Sequence, residues 1–79
     1  MTTDEIVALA LTRRLAADGS ARRLREENGL SLADVGNAIG TSPTTIWRWE
    51  HGERSPHGNL AIRYAAVLSG LIGISGPGQ

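Results

Sequence analysis

SLADVGNAIGTSPTTIWRWEHG, residues 31–52, holds two short helices with almost nothing between them. Ser31 and Asp34 have the Ser-x-x-Asp spacing of a capped helix start, and Leu32, Val35 and Ile39 recur on one side, so a two-turn helix should run to about Ile39. Gly40 stops it. Ser42 then caps a second helix and Pro43 takes its first position, where a missing N–H costs nothing. Ile46 and Trp49 point inward, and His51-Gly52 ends the run. Two helices joined so tightly must cross steeply to bury their apolar sides. Gly36 offers the small side chain needed at their nearest approach. That geometry exposes the second helix.

Outward from this pair the chain stays helical. Residues 3–17 read as a helix, with Thr3 as cap, Asp4 and Glu5 at the positive end of the dipole, and Val7, Leu11 and Leu15 recurring at i+4. Asp18-Gly19-Ser20 interrupts it: Gly19 suits a left-handed terminus and Ser20 a cap for a helix from Ala21 to Asn28, ended by Gly29. One continuous, kinked helix is the alternative. Beyond the central pair, Glu53 to Gly58 reads as a loop around Pro56. From Asn59 to about Ile72 helical periodicity returns through Leu60, Tyr64, Val67, Leu68 and Leu71, and residues 75–79 read as a frayed tail. The expectation is an all-α, compact five-helix bundle in a single domain over 1–79, with an extra N-terminal helix at 3–17, a core over 20–72 and the tail.

Composition narrows the function. With 79 residues there is room for one small core, which disfavours a catalytic scaffold of several steps. There is no cysteine, hence neither a disulfide framework nor a thiolate zinc site. No apolar run approaches the ~18 to 20 residues of a membrane span, and Asp4 and Glu5 contradict the basic start of a secretory signal, so the cytoplasm is the expected address. The formal charge is zero, from eight Arg, no Lys and eight acids. A nucleic-acid role must therefore rest on where the charge is placed. His51, Glu53 and His57 lie close in sequence but lack a fourth ligand and match no standard metal spacing, so no metal or other cofactor is expected. No Ser, His and acidic set forms a catalytic elbow, nor does a glycine loop form a phosphate cradle.

Arg25 through Leu68 carries a denser pattern: Leu24-Arg-Glu-Glu-Asn-Gly-Leu-Ser31, Val35-Gly36, Ile39-Gly-Thr-Ser42, then Thr45-Ile-Trp-Arg-Trp-Glu50-His-Gly-Glu-Arg-Ser-Pro56 and a closing helix. It resembles the Cro and phage-repressor type helix-turn-helix, also called the XRE family, with Trp49-Glu50-x-Gly52 followed by Pro56 the most specific part. The resemblance implies a lambda-repressor-like domain that binds double-stranded DNA as a non-enzymatic transcriptional regulator, a repressor or Cro-like protein, without a small-molecule ligand. It places Thr44, Trp47, Arg48 and Pro43 against bases. Ser42, Ser31 with the first amides of its helix, and Arg54 fall at phosphates. Arg25 and Glu50 become a structural ion pair. Two departures stand out: Leu32 replaces a frequent Gln that holds the DNA backbone, and Pro43 replaces a frequent polar base reader.

Other readings compete at particular residues. Trp47 sits two positions from Trp49 and so faces nearly the opposite way; an exposed aromatic there touches DNA, touches a protein, or packs at the periphery. Arg13-Arg14 and Arg22-Arg23 approach DNA flanks or form an ordinary solvated face. Neutral charge gives a monomer weak nonspecific attraction, so a homodimer on a two-fold-related operator is expected. Ile6, Val7 and Leu9, with Leu71, Ile72 and Ile74, either supply its contact or complete the monomer core. The rival function is a protein-interaction module, an antitoxin or adaptor built on the same fold.

Overall fold

Thr2, and not Thr3, starts the first helix: its hydroxyl accepts from the Glu5 amide at 3.2 Å while the Glu5 carboxylate accepts from the Thr2 amide at 2.9 Å. This reciprocal box satisfies two donors that the first turn would otherwise leave open. The computed structural model describes residues 1–75, and among them the helices are α1 (Thr3–Ala17), α2 (Ser20–Glu27), α3 (Leu32–Ile39), α4 (Pro43–Glu50) and α5 (Gly58–Ser75). The all-α five-helix reading holds. α5 is longer at both ends than periodicity indicated, so Ser75 is helical; residues 76–79 of the expected tail lie outside the described residues.

The break between α1 and α2 differs in one detail. Gly19 is left-handed, at φ 88°, but Ser20 is already helical and does not cap. Its amide donates to the Asp18 carboxylate at 2.9 Å, so Asp18 does the capping from two residues back. The Ser20 side chain and then its amide hold the Asp18 carboxyl below the usual range.

A shared core joins all five helices through Ala16, Ala21, Val35, Ile39, Ile46, Trp49, Tyr64 and Leu68. Burial of its larger apolar members contributes about 1.5 to 3 kcal/mol each. The Trp49 and Tyr64 rings meet at its centre, 5.0 Å apart and tilted by 38°. On α1, however, the side that packs is not the stripe visible in the sequence: Thr12 and Ala16 are buried, while Val7 and Leu11 are exposed and Leu15 is half-buried. Small side chains allow close approach of two helix backbones, and Ala8 on α1 shares a groove with Ala65 and Ala66 on α5. Thr12 and Ala16 dock, Leu15 packs against the core, and Ile6, Val7 and Leu11 face outward.

Candidate nucleic-acid interface

The α3–α4 turn depends on two glycines for different reasons. Gly40 is left-handed at φ 86°, and its amide and that of Thr41 both donate to the Gly36 carbonyl, at 2.9 and 2.8 Å. Gly36 is buried where α3 meets the start of α4. A Cβ there would lie 2.8 Å from the Thr41 carbonyl oxygen and 3.3 Å from the Pro43 nitrogen. Backbone, not flexible side chain, occupies that space. α4 then begins on Ser42, whose hydroxyl accepts from the Thr45 amide at 3.2 Å and lies 3.0 Å from the Thr45 hydroxyl.

α4 is sharply two-sided. Ile46, Trp49 and Glu50 are buried; Pro43, Thr44, Trp47 and Arg48 are exposed, with Ser42 exposed just before them. Arg48 makes no ion pair or side-chain hydrogen bond among the described residues, and the same is true of Arg54. Arg54 follows α4 in a turn that folds back on it, where the Glu53 amide donates to the Arg48 carbonyl at 2.9 Å. Arg48 and Arg54 are thus two exposed cations without an ion pair among the described residues.

Trp47 is 39 % exposed because one ring face is covered: His51 stacks on it with centroids 3.9 Å apart and planes 18° from parallel. His51 Nδ1 lies 2.8 Å from the Trp47 carbonyl oxygen, which fixes the imidazole in this pose. The sequence assigns His51 only to the end of the helix. The signal available in the sequence was its position four residues after Trp47, which places two side chains together on a helix surface.

At the start of α3, Ser31 is not fully available to a phosphate. Its hydroxyl accepts from the Asp34 amide at 2.9 Å, and its own amide donates to the Asp34 carboxylate at 2.8 Å. The Ser31 amide, and then its hydroxyl, hold the Asp34 carboxyl below the usual range, so a negative charge already occupies this terminus. What remains are the first-turn amides of Leu32 and Ala33, which have no acceptor within the helix.

Arg25 and Glu50 meet across the core. Arg25 donates to both Glu50 oxygens, from Nε at 2.7 Å and a terminal nitrogen at 2.9 Å, and from its other terminal nitrogen to the Leu30 carbonyl at 3.0 Å. The side chains are 12 % and 1 % exposed. This two-point contact raises the Arg25 pKa above its ordinary value. Nearby, burial first and the Glu50 charge second push the Tyr64 phenol well above its ordinary range. The pair ties the last residue of α4 to α2 and so sets the pose of the whole helix.

The histidines turn to separate partners, His51 to Trp47 and His57 to the Ser55 carbonyl, and no group of metal-ligand side chains gathers among the described residues. No described helix is long and apolar enough to cross a membrane. Among known proteins, no curated sequence and no solved structure gave a match. One family does match: the model described as a helix-turn-helix domain covers residues 19–71, from the α1–α2 break to within α5, in keeping with the XRE-type resemblance. The chain belongs to the helix-turn-helix domain family of DNA-binding regulators.

Proposed function

We propose that this protein is a sequence-specific double-stranded DNA-binding transcriptional regulator, a repressor or Cro-like protein without enzymatic activity, whose α4 lies in the major groove. The observation that carries this reading is the division of α4: its inner side is locked by Ile46, Trp49 and the Arg25–Glu50 pair, while Thr44, Trp47 and Arg48 are exposed on its outer side. A major groove ~12 Å wide admits one α-helix, and a free guanidinium in it can give two hydrogen bonds to guanine O6 and N7.

In this reading Arg48 reads a guanine, Trp47 and Pro43 present apolar surface to thymine methyl groups, and Thr44 offers a hydroxyl or methyl. Arg54 and Ser42 meet phosphates, joined by the free first-turn amides of α3, since helix N-termini attract anions. Ser31 contributes as the cap that positions those amides. Because the chain is neutral overall, useful affinity comes from two copies on half-sites ~34 Å or a multiple apart. A gel shift of the purified protein with its own upstream DNA, at stated salt, tests the reading. A sequence-dependent shift supports it, and the absence of any shift favours the protein-interaction alternative.

A further inference from the structure

The outward side of α1 takes no part in the groove-reading role proposed for α4, and α1 lies before the matched residues 19–71. It carries an apolar surface in the monomer: Ile6 is 52 % exposed, Val7 60 % and Leu11 38 %, around a shallow depression also lined by Ala10 and Arg14. Isolated exposed apolar side chains are ordinary, but a contiguous strip on one helix face marks a contact surface.

The charges at its two ends identify the occupant. At about 100° per residue, Asp4, Val7, Leu11 and Arg14 fall within an arc of about 80°, turned away from the buried Thr12 and Ala16. The face thus reads acid, apolar, apolar, base along its length. Neither Asp4 nor Arg14 forms an ion pair among the described residues, although Arg14 lies near Asp18. We infer that this face binds a second copy of itself, α1 against α1 in antiparallel pairing about a two-fold axis level with residue 9.

A two-fold axis across a helix reverses its direction, and every contact then occurs twice. With the axis at that level, Val7 of one copy lies opposite Leu11 of the other, and Asp4 lies opposite Arg14. The same pairing in parallel would set like charges together at both ends. A net charge of zero removes any overall repulsion between copies. One helix face per copy falls well short of the ~1,600 Å² of a standard interface, so the contact is weak and concentration-dependent.

The inference rests on the two-copy reading above and is tested without DNA, which separates its failure from that of the groove-reading role of α4. In sedimentation equilibrium from about 10 to 500 µM, the wild type should pass from monomer to dimer. Val7→Glu should remain a monomer with an unchanged circular dichroism spectrum, because Val7 supports no core contact. Asp4→Arg and Arg14→Asp should each weaken association about ten-fold, since each sets two like-charge pairs in place of two attractive ones. Mixing those two variants should restore association, because both ion pairs re-form in the heterodimer, and the double variant should restore it alone. A wild type that stays monomeric throughout, a Val7→Glu variant that still dimerises, or a mixture no tighter than its components overturns the inference.

Discussion

Arg25 holds Glu50 at two points, with bonds of 2.7 and 2.9 Å, across 25 residues of sequence and with the carboxylate almost wholly buried. The pair therefore fixes α4 at its far end, as the Gly36 contact fixes it at its start. Glu50→Ala strands a buried guanidinium, and the expected loss is about 3 to 5 kcal/mol. For a domain this small that is a large share of a total stability of about 5 kcal/mol. Thermal denaturation followed by circular dichroism should show a strongly lowered midpoint or an unfolded chain, with any loss of DNA binding tracking the unfolded fraction. Replacing both partners, as in Arg25→Met with Glu50→Leu, should recover much of the stability, because no charge is then left unpaired.

Gly36→Ala tests the other anchor. A methyl group 2.8 Å from the Thr41 carbonyl oxygen forces the backbone of the turn to shift. Urea denaturation should show a loss of about 1 to 3 kcal/mol, as for other overpacked sites. A substitution at Gly52, where nothing lies within 4 Å, meets no such obstacle in space, although its φ of 73° still disfavours a side chain.

These anchors were visible in the sequence to different degrees. The central pair could be placed closely because its signals are local and agree: Ser-x-x-Asp, Ser-Pro, and apolar residues on one side of each helix. Gly36 could be singled out because few other residues offer so little volume at a crossing point. The orientation of α1 could not, since Val7, Leu11 and Leu15 give a better apolar period than the Ala8, Thr12 and Ala16 side that docks. Which side packs is decided by the neighbour, and it is Thr12 and Ala16 that are buried. At the site, Trp47 is legible as outward from its two-residue offset from Trp49, and Thr44 and Arg48 from the family resemblance. The Asp34 carboxylate at Ser31 follows from the Ser-x-x-Asp spacing, whereas the four-residue spacing of Trp47 and His51 puts the two rings within reach without deciding that they stack, because stacking depends on a rotamer choice.

His51→Ala should loosen Trp47 without unfolding the protein, since both are exposed. Removing a stacked ring costs about 0.5 to 1.5 kcal/mol of pairing, so the freed indole becomes more mobile. Indole relaxation by NMR should report that mobility, and DNA affinity should fall by a few-fold as Trp47 loses its preset pose. Unchanged indole dynamics would remove the bracing role of His51.

Acid should weaken the start of α3. The folded-state pKa of Asp34 is depressed below the ordinary 3.8, so its contribution to stability is complete above that value and is lost as pH falls through the lower folded value. The stability difference between wild type and Asp34→Asn should be constant from neutral pH to about pH 5 and shrink below about pH 4. Denaturant titrations across that range measure it. A difference that grows on acidification would contradict the capping geometry.

The most direct test of α4 as the reading element compares Arg48→Ala with Arg54→Ala on a duplex selected from random sequence, at several salt concentrations. Arg48→Ala should lose about 1 to 3 kcal/mol of binding and discrimination at a single guanine position while circular dichroism stays unchanged. Arg54→Ala should weaken all sequences alike and lower the salt dependence by about one ion. If Arg48→Ala keeps both the affinity and the base preference of the wild type, α4 does not read the groove.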